Sequence, residues 1–318
     1  MTSTDVRAAA GSPGQQEGQI AHRSGYVAVV GKPNVGKSTL VNALVGHKVA
    51  ITSPKPQTTR RRILGIHTRP DAQILFVDTP GIHMPKHALN EFMMREVAFA
   101  LDDCDAVLFV VDVSSPPDDD DRRVAERIRA MQQPKLMALN KADLLDAATG
   151  VDHPGQYQQL FGSEQTFFTS GVIIRRENLE ELLHRLIAVL PEGPEFYPPD
   201  QYTDQTERVL VAELIREQAL RFVEQEVPHA VAVSVDEYAQ RPNGMIYAAA
   251  TLYVERDSQK GILIGKNGQM LKRIGSESRR EIERELGNKM YLELWVKVRQ
   301  AWRRDERAVG QLVAGEGV

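Results

Sequence analysis

Apolar and polar positions divide the chain into two regions with different patterns. In the first region, a segment with helical spacing at 39–44 follows a short apolar run. Four apolar runs are typical of buried strands, and they lie at 26–30, 74–77, 106–111 and 136–139. Buried strands that alternate with helical segments favour a mostly parallel sheet flanked by helices. We therefore expect an α/β domain over residues 24–190.

The second region has a different order of elements. Apolar residues recur at helical spacing over 207–226, and two alternating segments, 229–239 and 245–255, are joined by Asn243-Gly244, a hairpin signal. An apolar segment, a glycine-containing loop, a helix over 269–286 and a strand over 289–299 follow. This order predicts a smaller α+β domain, to which we assign residues 207–304.

Three segments lie outside the two predicted domains. Residues 1–23 are polar and lack the apolar core of a signal peptide, so we expect a disordered tail. Residues 191–206 contain four prolines, which disfavour helix and central strand and predict a stiff, extended linker. Residues 305–318 form the C-terminal tail.

The first motif with recognisable chemistry follows the first predicted strand. Residues 31–38 read GKPNVGKS, which fits the phosphate-binding pattern G-x-x-x-x-G-K-[ST] in its required strand–loop–helix context. The glycines let backbone N–H groups turn toward phosphate oxygens, and the next helix adds its positive dipole end. Lys37 would reach the β- and γ-phosphates, and the Ser38 hydroxyl would hold Mg²⁺. The expected nucleotide contacts are Gly31, Lys32, Pro33, Asn34, Val35, Gly36, Lys37, Ser38 and Thr39.

Asn140-Lys141-Ala142-Asp143 identifies the base. It matches the NKxD signature of guanine recognition and follows a predicted strand. The Asp143 carboxylate can accept from guanine N1–H and N2 together, and adenine has neither donor, so the motif favours GTP over ATP. We expect a further strand end to pack beside the base. Thr169, Ser170 and Gly171 occupy that place, although Gly171 departs from the usual alanine.

Asp78-Thr79-Pro80-Gly81 matches the DxxG motif and also follows a predicted strand. Asp78 would bind Mg²⁺ through water. The Gly81 N–H would contact the γ-phosphate, and loss of that contact on hydrolysis would free the following loop. Three motifs at strand ends predict one ligand site at that edge of the sheet.

Catalysis also needs a threonine that closes over Mg²⁺ and the γ-phosphate. Thr58 and Thr59 are both candidates, and we favour Thr59 because related GTPases place this threonine directly before an arginine. Ile82 stands where Ras-type enzymes have a water-orienting glutamine, and isoleucine cannot align water. Asn34 resembles the asparagine of GTPases that use K⁺, so K⁺ use is a hypothesis. The expected catalytic residues are Lys37, Thr59 and Gly81.

The second domain carries the sequence GxxG within an element order that is that of a type II KH domain, an RNA-binding module. Its glycines would let a nucleic-acid strand approach the backbone, while Lys266 would neutralise a phosphate and nearby apolar side chains would receive bases. Residues 257–304 contain twelve Lys and Arg against six Asp and Glu, on a chain with a formal net charge of −4. Such a basic region predicts a polyanion site. The expected RNA contacts are Ile264, Gly265, Lys266, Asn267, Gly268 and Lys272.

Composition narrows the remaining possibilities. One cysteine, Cys104, excludes a disulfide framework and fits a reducing compartment, and the absence of an apolar run of 18 residues argues against a membrane-spanning helix. The acidic run 118–121 favours a solvated helix start over a metal site. We expect His83 to be a mobile surface residue and Trp295 to face a strand interior on one side. Trp302 either stacks on a base or packs the C-terminal segment.

Taken together, the motifs resemble those of the Era family of bacterial ribosome-assembly GTPases over about residues 25–304. The resemblance rests on GKPNVGKST, PQTTR, DTPGIH, NKAD, the Pro-rich linker with DQYTD, IGKNG and LELWVKV. It implies GTP, GDP and Mg²⁺ as ligands, and binding to the 3′ end of 16S ribosomal RNA, coupled to GTP state, during maturation of the 30S subunit. It also implies a cytoplasmic monomer with peripheral association at the inner membrane face, for which this sequence has no explanatory segment.

Three alternatives to this interpretation exist. The first is a GTPase whose C-terminal domain docks a protein or membrane partner instead of RNA. The second is a nucleotide-binding module without hydrolysis, which Ile82 favours. The third, a GTPase of tRNA modification, would need a catalytic cysteine near the C-terminus, and the sequence has none there.

Overall fold

The computed structural model describes residues 22–85, 87–145, 152–162, 166–169, 176–224 and 227–314. Its first part is a six-stranded sheet with the order β2-β3-β1-β4-β5-β6, in which β2 is antiparallel to β3 and the other pairs are parallel. The strands are β1 (Arg23–Val30), β2 (Ile63–Arg69), β3 (Ala72–Asp78), β4 (Ala106–Asp112), β5 (Lys135–Asn140) and β6 (Thr166–Phe168). The predicted mostly parallel sheet is confirmed.

Helices cover both faces of this sheet. They are α1 (Lys37–Val45), α2 (Ala88–Asp102), α3 (Asp119–Arg129), α4 (His153–Phe161) and α5 (Arg176–Val189). Because successive side chains of a strand point to opposite faces, Val27 and Val29 pack with α1 and α5, whereas Ala28 and Val30 pack with α2, α3 and α4. Burial on both faces explains why the strands read as continuous apolar runs.

The second part is a three-stranded sheet with helices on one face. Its elements are α6 (Glu207–Phe222), α7 (Val227–Ala230), β7 (Ala232–Gln240), β8 (Ile246–Val254), α8 (Asp257–Ile264), α9 (Gln269–Leu286), β9 (Met290–Val298) and α10 (Glu306–Val309). Strand β7 is antiparallel to β8, and β8 is parallel to β9. The smaller α+β domain with the predicted KH element order is confirmed.

Several boundaries differ from the predictions. The helix predicted over 207–226 ends at Phe222, because Val223 adopts an extended backbone. The strand predicted from residue 229 begins at Ala232, because the preceding residues form α7. Arg23, which we placed in the N-terminal tail, is the first residue of β1 and pairs with β3. The prediction that Trp295 faces the interior is wrong, because its side chain is 45% exposed on the sheet face away from α9.

The proline-rich linker is extended but lies against the first domain. The backbone N–H of Ile66 donates to the carbonyl of Tyr202 (2.9 Å), and the Thr203 hydroxyl donates to the carbonyl of Leu64 (2.7 Å). These bonds pair the linker with β2, which is an edge strand of the first sheet. The linker therefore fixes where the second domain begins.

The C-terminal segment, which comprises the end of the second domain and the described part of the tail, packs on the protein. Trp302 is fully buried, and its indole N–H donates to the carbonyl of Ala230 (2.8 Å). Val309 of α10 packs with Leu89 and Met93 of α2. Of the two roles open to Trp302, packing of this segment is confirmed. Within the described part of the chain, no helix is long and apolar enough to span a membrane.

Candidate functional site

The phosphate-loop sequence connects β1 to α1 in a conformation that requires its glycines. Gly36 has φ +96, and a Cβ on it would lie 2.3 Å from the side-chain nitrogen of Asn140. A Cβ on Gly31 would lie 2.2 Å from the carbonyl oxygen of Val110. No larger residue fits at either position, so the loop can turn tightly around a ligand at the N-terminus of α1.

Lys37 lies at the centre of this loop. Its Nζ donates to the carbonyl oxygens of Gly31 (3.1 Å) and Lys32 (3.0 Å). Burial lowers the pKa of Lys37 to about 8, although the Asp78 carboxylate opposes this shift. The amine is therefore mostly protonated at neutral pH and presents a positive charge inside the loop.

Three oxygen donors from separate parts of the chain meet beside Lys37. The Ser38 hydroxyl donates to Asp78 Oδ2 (2.6 Å) and lies 2.8 Å from Thr59 Oγ1, which is 3.5 Å from the same carboxylate oxygen. Thr58 points away, and its hydroxyl donates to the carbonyl of Lys55 (2.7 Å). The geometry thus brings Thr59, and not Thr58, to Ser38 and Asp78.

This donor set suits Mg²⁺, which prefers oxygen ligands. Asp78 is fully buried, and burial raises its pKa to about 6 despite hydrogen bonds from Ser38 and Thr59. Among the described residues, its second oxygen, Oδ1, has no hydrogen-bond partner. A buried carboxylate with an unsatisfied oxygen is stabilised by a cation, so the residues present fit the metal.

The DxxG segment packs directly on the phosphate loop. The Thr79 hydroxyl donates to the carbonyl of Val29 (2.7 Å), and Pro80 is buried. A Cβ on Gly81 would lie 2.5 Å from the backbone nitrogen of Pro33, and the N–H of Ile82 donates to the carbonyl of Gly31 (3.1 Å). A movement of the phosphate loop would therefore displace the DxxG segment, and the reverse also holds.

His83 is not the mobile surface residue that we expected. Its Nδ1 lies 2.8 Å from the carbonyl oxygen of Gly81, and its Nε2 lies 2.6 Å from Asn90 Nδ2. Asn90 is buried in α2, so the imidazole is held between the DxxG loop and that helix. Sequence alone did not show this partner because it lies on a separate element.

The NKxD segment is tied to the phosphate loop by Asn140. Its side-chain N–H donates to the carbonyl of Val35 (2.7 Å), and its Oδ1 accepts from the Thr169 hydroxyl (3.2 Å). Lys141 adopts φ +60, and its Nζ donates to Asp112 Oδ2 (2.5 Å). Asp143 lies on a short 3-10 helix with its side chain exposed to solvent. Ser170 and Gly171 lie outside the described residues.

A cavity of about 590 Å³ opens beside these segments. Its lining includes Gly36, Lys37, Ser38, Thr59 and Lys141. The exposed Asn34 stands at its edge with φ +65, and its Nδ2 donates to the carbonyl of Pro54 (3.1 Å). Part of the predicted nucleotide site, which also includes Pro33, Thr39 and Gly81, thus surrounds one space at the strand ends of the sheet.

An ion-pair network behind the phosphate loop escaped the sequence analysis. Lys32 Nζ donates to Asp118 Oδ2 (2.8 Å) and to Asp121 Oδ2 (2.7 Å). Asp118 caps α3 as predicted for a helix start, but Asp121 is fully buried and also accepts from the Tyr157 hydroxyl (3.0 Å). Of the described residues, no group of three or more His, Cys, Asp or Glu is placed to hold a metal ion.

The GxxG loop joins α8 to α9, and three of its residues have a left-handed backbone that favours the close approach of a ligand. Gly265, Asn267 and Gly268 have positive φ values of 71, 51 and 75. The side chains of Lys266 and Asn267 are exposed, and Lys272 is exposed one turn into α9. Ile264 is half-buried against the core of this domain. The loop is therefore open to solvent and carries positive charge.

The basic residues of this domain differ in their availability. Arg280 pairs with Glu277, and Arg284 pairs with Glu281 and Glu285. Lys266 and Lys272 make no ion pair within the described residues. Lys266 and Lys272 are thus exposed basic side chains beside the GxxG loop that no described carboxylate pairs with.

Comparisons with known proteins match both domains of the chain. Residues 26–141 match the family described as 50S ribosome-binding GTPase, and residues 226–303 match the KH domain family. GTPase Era of Heliobacterium modesticaldum is 45% identical over 281 residues, which cover 88% of this chain and 93% of that protein.

Two solved structures of Era are similar over nearly the whole fold. A tyrosine-to-alanine variant of Aquifex aeolicus Era, bound to GDP and AlF₄⁻, has a TM-score of 0.86 and 37% identity. An Era complex with MgGDPNP and nucleotides 1506–1542 of 16S ribosomal RNA has a TM-score of 0.87 and 38% identity. Each match covers 92% of this chain and 99% of the Era chain in the solved structure. By its domain composition and by this identity over most of its length, the chain belongs to the Era family of GTPases.

Proposed function

We propose that this chain is a GTP-hydrolysing switch that binds the 3′ end of 16S ribosomal RNA and assists maturation of the 30S subunit. The observation that carries the enzymatic half is the convergence of Ser38, Thr59 and Asp78 beside Lys37, within a loop that only glycines allow. The RNA complex of a similar Era protein supports the other half.

The residues around the cavity have distinct roles in this proposal. Ser38, Thr59 and Asp78 would hold Mg²⁺, which when bound neutralises charge on the phosphates. Backbone N–H groups of the loop and the Lys37 amine bind the phosphates, and the Gly81 N–H contacts the γ-phosphate. Asp143 reads the purine from its exposed position. Asn140 acts through position, because it joins the NKxD segment to the phosphate loop.

A comparison of the two neighbouring threonines tests the metal site. Thr59→Ala should lower the single-turnover rate of GTP hydrolysis by about tenfold or more, the factor for 1.4 kcal/mol of lost transition-state stabilisation. Thr58→Ala is the matched control, because its hydroxyl reaches only the carbonyl of Lys55. Equal rates for the two variants would remove Thr59 from the site.

We extend the proposal to K⁺, with Asn34 as its contact, because Ile82 cannot align the attacking water. The exposed position of Asn34 beside Pro54 leaves its side chain at the edge of the cavity. Single-turnover hydrolysis in KCl should exceed that in NaCl at equal ionic strength. Equal rates in the two salts would remove K⁺ from the mechanism.

RNA binding is assigned to the GxxG loop and its neighbours Ile264, Lys266 and Lys272. Gly268→Asp should weaken binding to an oligonucleotide of the 16S 3′ end by at least about tenfold, because it adds negative charge and a strained φ where the backbone must approach the strand. Gly287→Asp is the control, since Gly287 has φ +71, lies at the other end of α9 and also has open space around it. If binding of the oligonucleotide does not change with salt concentration and is unaffected by Gly268→Asp, a protein or membrane partner would be favoured instead.

The proposal also covers the remaining expectations from the family. We propose a monomer that acts in the cytoplasm on the 30S subunit. Burial raises the pKa of the Cys104 thiol to about 11, which disfavours the reactive thiolate. Peripheral membrane association rests on the family resemblance alone, and flotation of the full chain with anionic vesicles would test it.

A further inference from the structure

The segment that carries Thr59 is held by the second domain. We call residues 52–60 the first switch segment. At its beginning, the N–H of Thr52 donates to Glu217 Oε1 (2.8 Å), and Glu217 also accepts from Lys48 (2.6 Å). Near its end, Arg216 Nη2 donates to the carbonyl of Thr58. Glu217 and Arg216 are neighbours on α6, so one helix of the second domain contacts both ends of the segment.

Arg60 makes the reciprocal contact. It leaves the first switch segment and enters the second domain, where Nη1 donates to the carbonyl of Val231 (2.6 Å) and Nη2 to that of His229 (3.1 Å). Its guanidinium lies 5.6 Å from the centre of the Trp302 ring. Arg60 and Arg216 are 4% and 2% exposed, so the hydrogen bonds of both guanidinium groups are shielded from water.

These contacts bracket Thr59. Arg216 holds the peptide carbonyl immediately before it, and Arg60 anchors the residue immediately after it. Because a peptide unit is planar, a fixed Thr58 carbonyl also fixes the direction from which the Thr59 backbone starts. The Thr59 hydroxyl then lies 2.8 Å from Ser38 Oγ.

The contacts around Thr59 bring together three arginines and two glutamates, so positive charge is in excess there. Arg216 pairs with Glu213 and Arg303 pairs with Glu255, whereas Arg60 has no carboxylate partner among the described residues. Burial lowers the pKa of Arg60 well below its usual range, and the neighbouring Arg216 adds to this. The backbone carbonyls therefore compensate a charge that would otherwise be costly, and the arrangement depends on the first switch segment staying in place.

We propose that Arg216 is a positioning residue for GTP hydrolysis, which holds the carbonyl of Thr58 from the second domain and thereby keeps the Thr59 hydroxyl beside Ser38 and Asp78. The inference rests on the proposed function, in which Thr59 binds Mg²⁺. It deepens that function by making helix α6 of the second domain part of the hydrolytic machinery. A shift of α6 relative to the first domain would then change the hydrolysis rate without any change in the nucleotide contacts.

Substitutions of Arg216 in the full-length chain test this proposal. Arg216→Gln should lower the single-turnover rate at saturating GTP by about tenfold, the factor for one lost hydrogen bond to a charged group, while the Kd for GDP stays within about threefold. Arg216→Lys should be intermediate, because one ammonium cannot replace the fork that bonds Thr58 and Glu213 together. Arg221→Gln is the control, since Arg221 lies on the same helix and is exposed.

The rate and the GDP affinity together separate positioning from structural damage. A merely structural role would reduce GDP binding and hydrolysis in parallel, and that result would overturn the proposal, as would a rate equal to that of Arg221→Gln. If Arg216→Gln does not fold, Arg216→Lys decides by the same criteria. Arg60→Gln should slow hydrolysis similarly, and the double substitution should slow it by less than the product of the two effects.

Thr59→Ala, measured in parallel, distinguishes the two levels of the proposal. If Thr59→Ala hydrolyses GTP at the unsubstituted rate, the assignment of Thr59 fails and the proposed function must change. If Thr59→Ala is slow and Arg216→Gln is not, the metal site stands and only the role of Arg216 is refuted.

Discussion

The buried ion pair behind the phosphate loop gives the most detailed prediction for stability. Asp121→Asn removes one negative charge from a fully buried side chain and changes little in volume. Asp121 Oδ2 now accepts from Lys32 Nζ (2.7 Å), from the Tyr157 hydroxyl (3.0 Å) and from the backbone N–H of Asp118 (3.1 Å). An asparagine oxygen can keep these geometries, but the bond to Lys32 loses its ionic character.

The magnitude follows from what each partner keeps. Loss of a hydrogen bond to a charged group costs about 1.5–3 kcal/mol, and a broken buried ion pair costs about 3–5 kcal/mol. Lys32 retains Asp118, whose side chain is 56% exposed and therefore screened. Burial raises the pKa of Asp121, so removal of its charge also recovers part of a desolvation cost. We therefore expect a loss of about 1–2 kcal/mol, at or below the lower end of these ranges.

The two pKa shifts of this pair have the same direction, and exposure explains why. The pKa of Lys32 is raised because hydrogen bonds to Asp118 and Asp121 outweigh its burial. The pKa of Asp121 is also raised, because its side chain has no exposure and the desolvation cost falls mainly on it. The pair thus favours the charged form of Lys32, whereas burial disfavours the charged form of Asp121.

Urea unfolding followed by far-UV circular dichroism measures the effect. Asp119→Asn is the control, because it removes a charge from the same first turn of α3 while its side chain is 88% exposed. Tryptophan fluorescence is less suitable, since both tryptophans lie in the second domain. The reasoning is refuted if the two substitutions shift the midpoint equally, because helix-dipole effects alone would then explain the change.

Three further predictions concern the base, the metal and the core. Asp143→Asn should exchange guanosine for xanthosine triphosphate as the preferred substrate, because an amide N–H donates to the 2-oxo group of xanthine, and unchanged preference in competition assays would contradict this role. The kcat/KM for Mg·GTP should fall about tenfold from pH 7 to pH 5, because Asp78 of the free protein has a pKa of about 6 and must be ionised to hold the metal; Asp78→Asn should be less active and lack this step. Trp302→Ala should cost about 3–5 kcal/mol of unfolding free energy, whereas Trp295→Ala at a 45% exposed position should cost much less, and equal urea midpoints would refute the assigned packing.

The elements that sequence predicted well are those whose signals are local. The helix over Gln269–Leu286 was predicted with its observed bounds, because glycines occupy both caps and the apolar positions recur at helical spacing. The need for glycine at positions 31 and 36, where neighbouring atoms leave no room for a Cβ, also follows from a contiguous motif. Such features need no knowledge of distant partners.

The features that sequence did not predict depend on contacts between distant segments. We expected Asp121 to be one of four solvated carboxylates, but its contacts with Lys32, 89 residues away in sequence, and with Tyr157 explain its burial. His83 is held by Asn90 of α2, and Arg60 is held by carbonyls of the second domain. No local pattern indicates which residue of a charged run turns inward or how two domains dock.

The central claim is that one chain couples GTP binding to RNA binding. Its most direct test is the equilibrium affinity of the full chain for an oligonucleotide of the 16S 3′ end, measured with Mg²⁺ and either GDPNP or GDP. Because the first switch segment links the metal site to α6, the affinity should be higher with GDPNP. Equal affinities in the two nucleotide states would contradict the account.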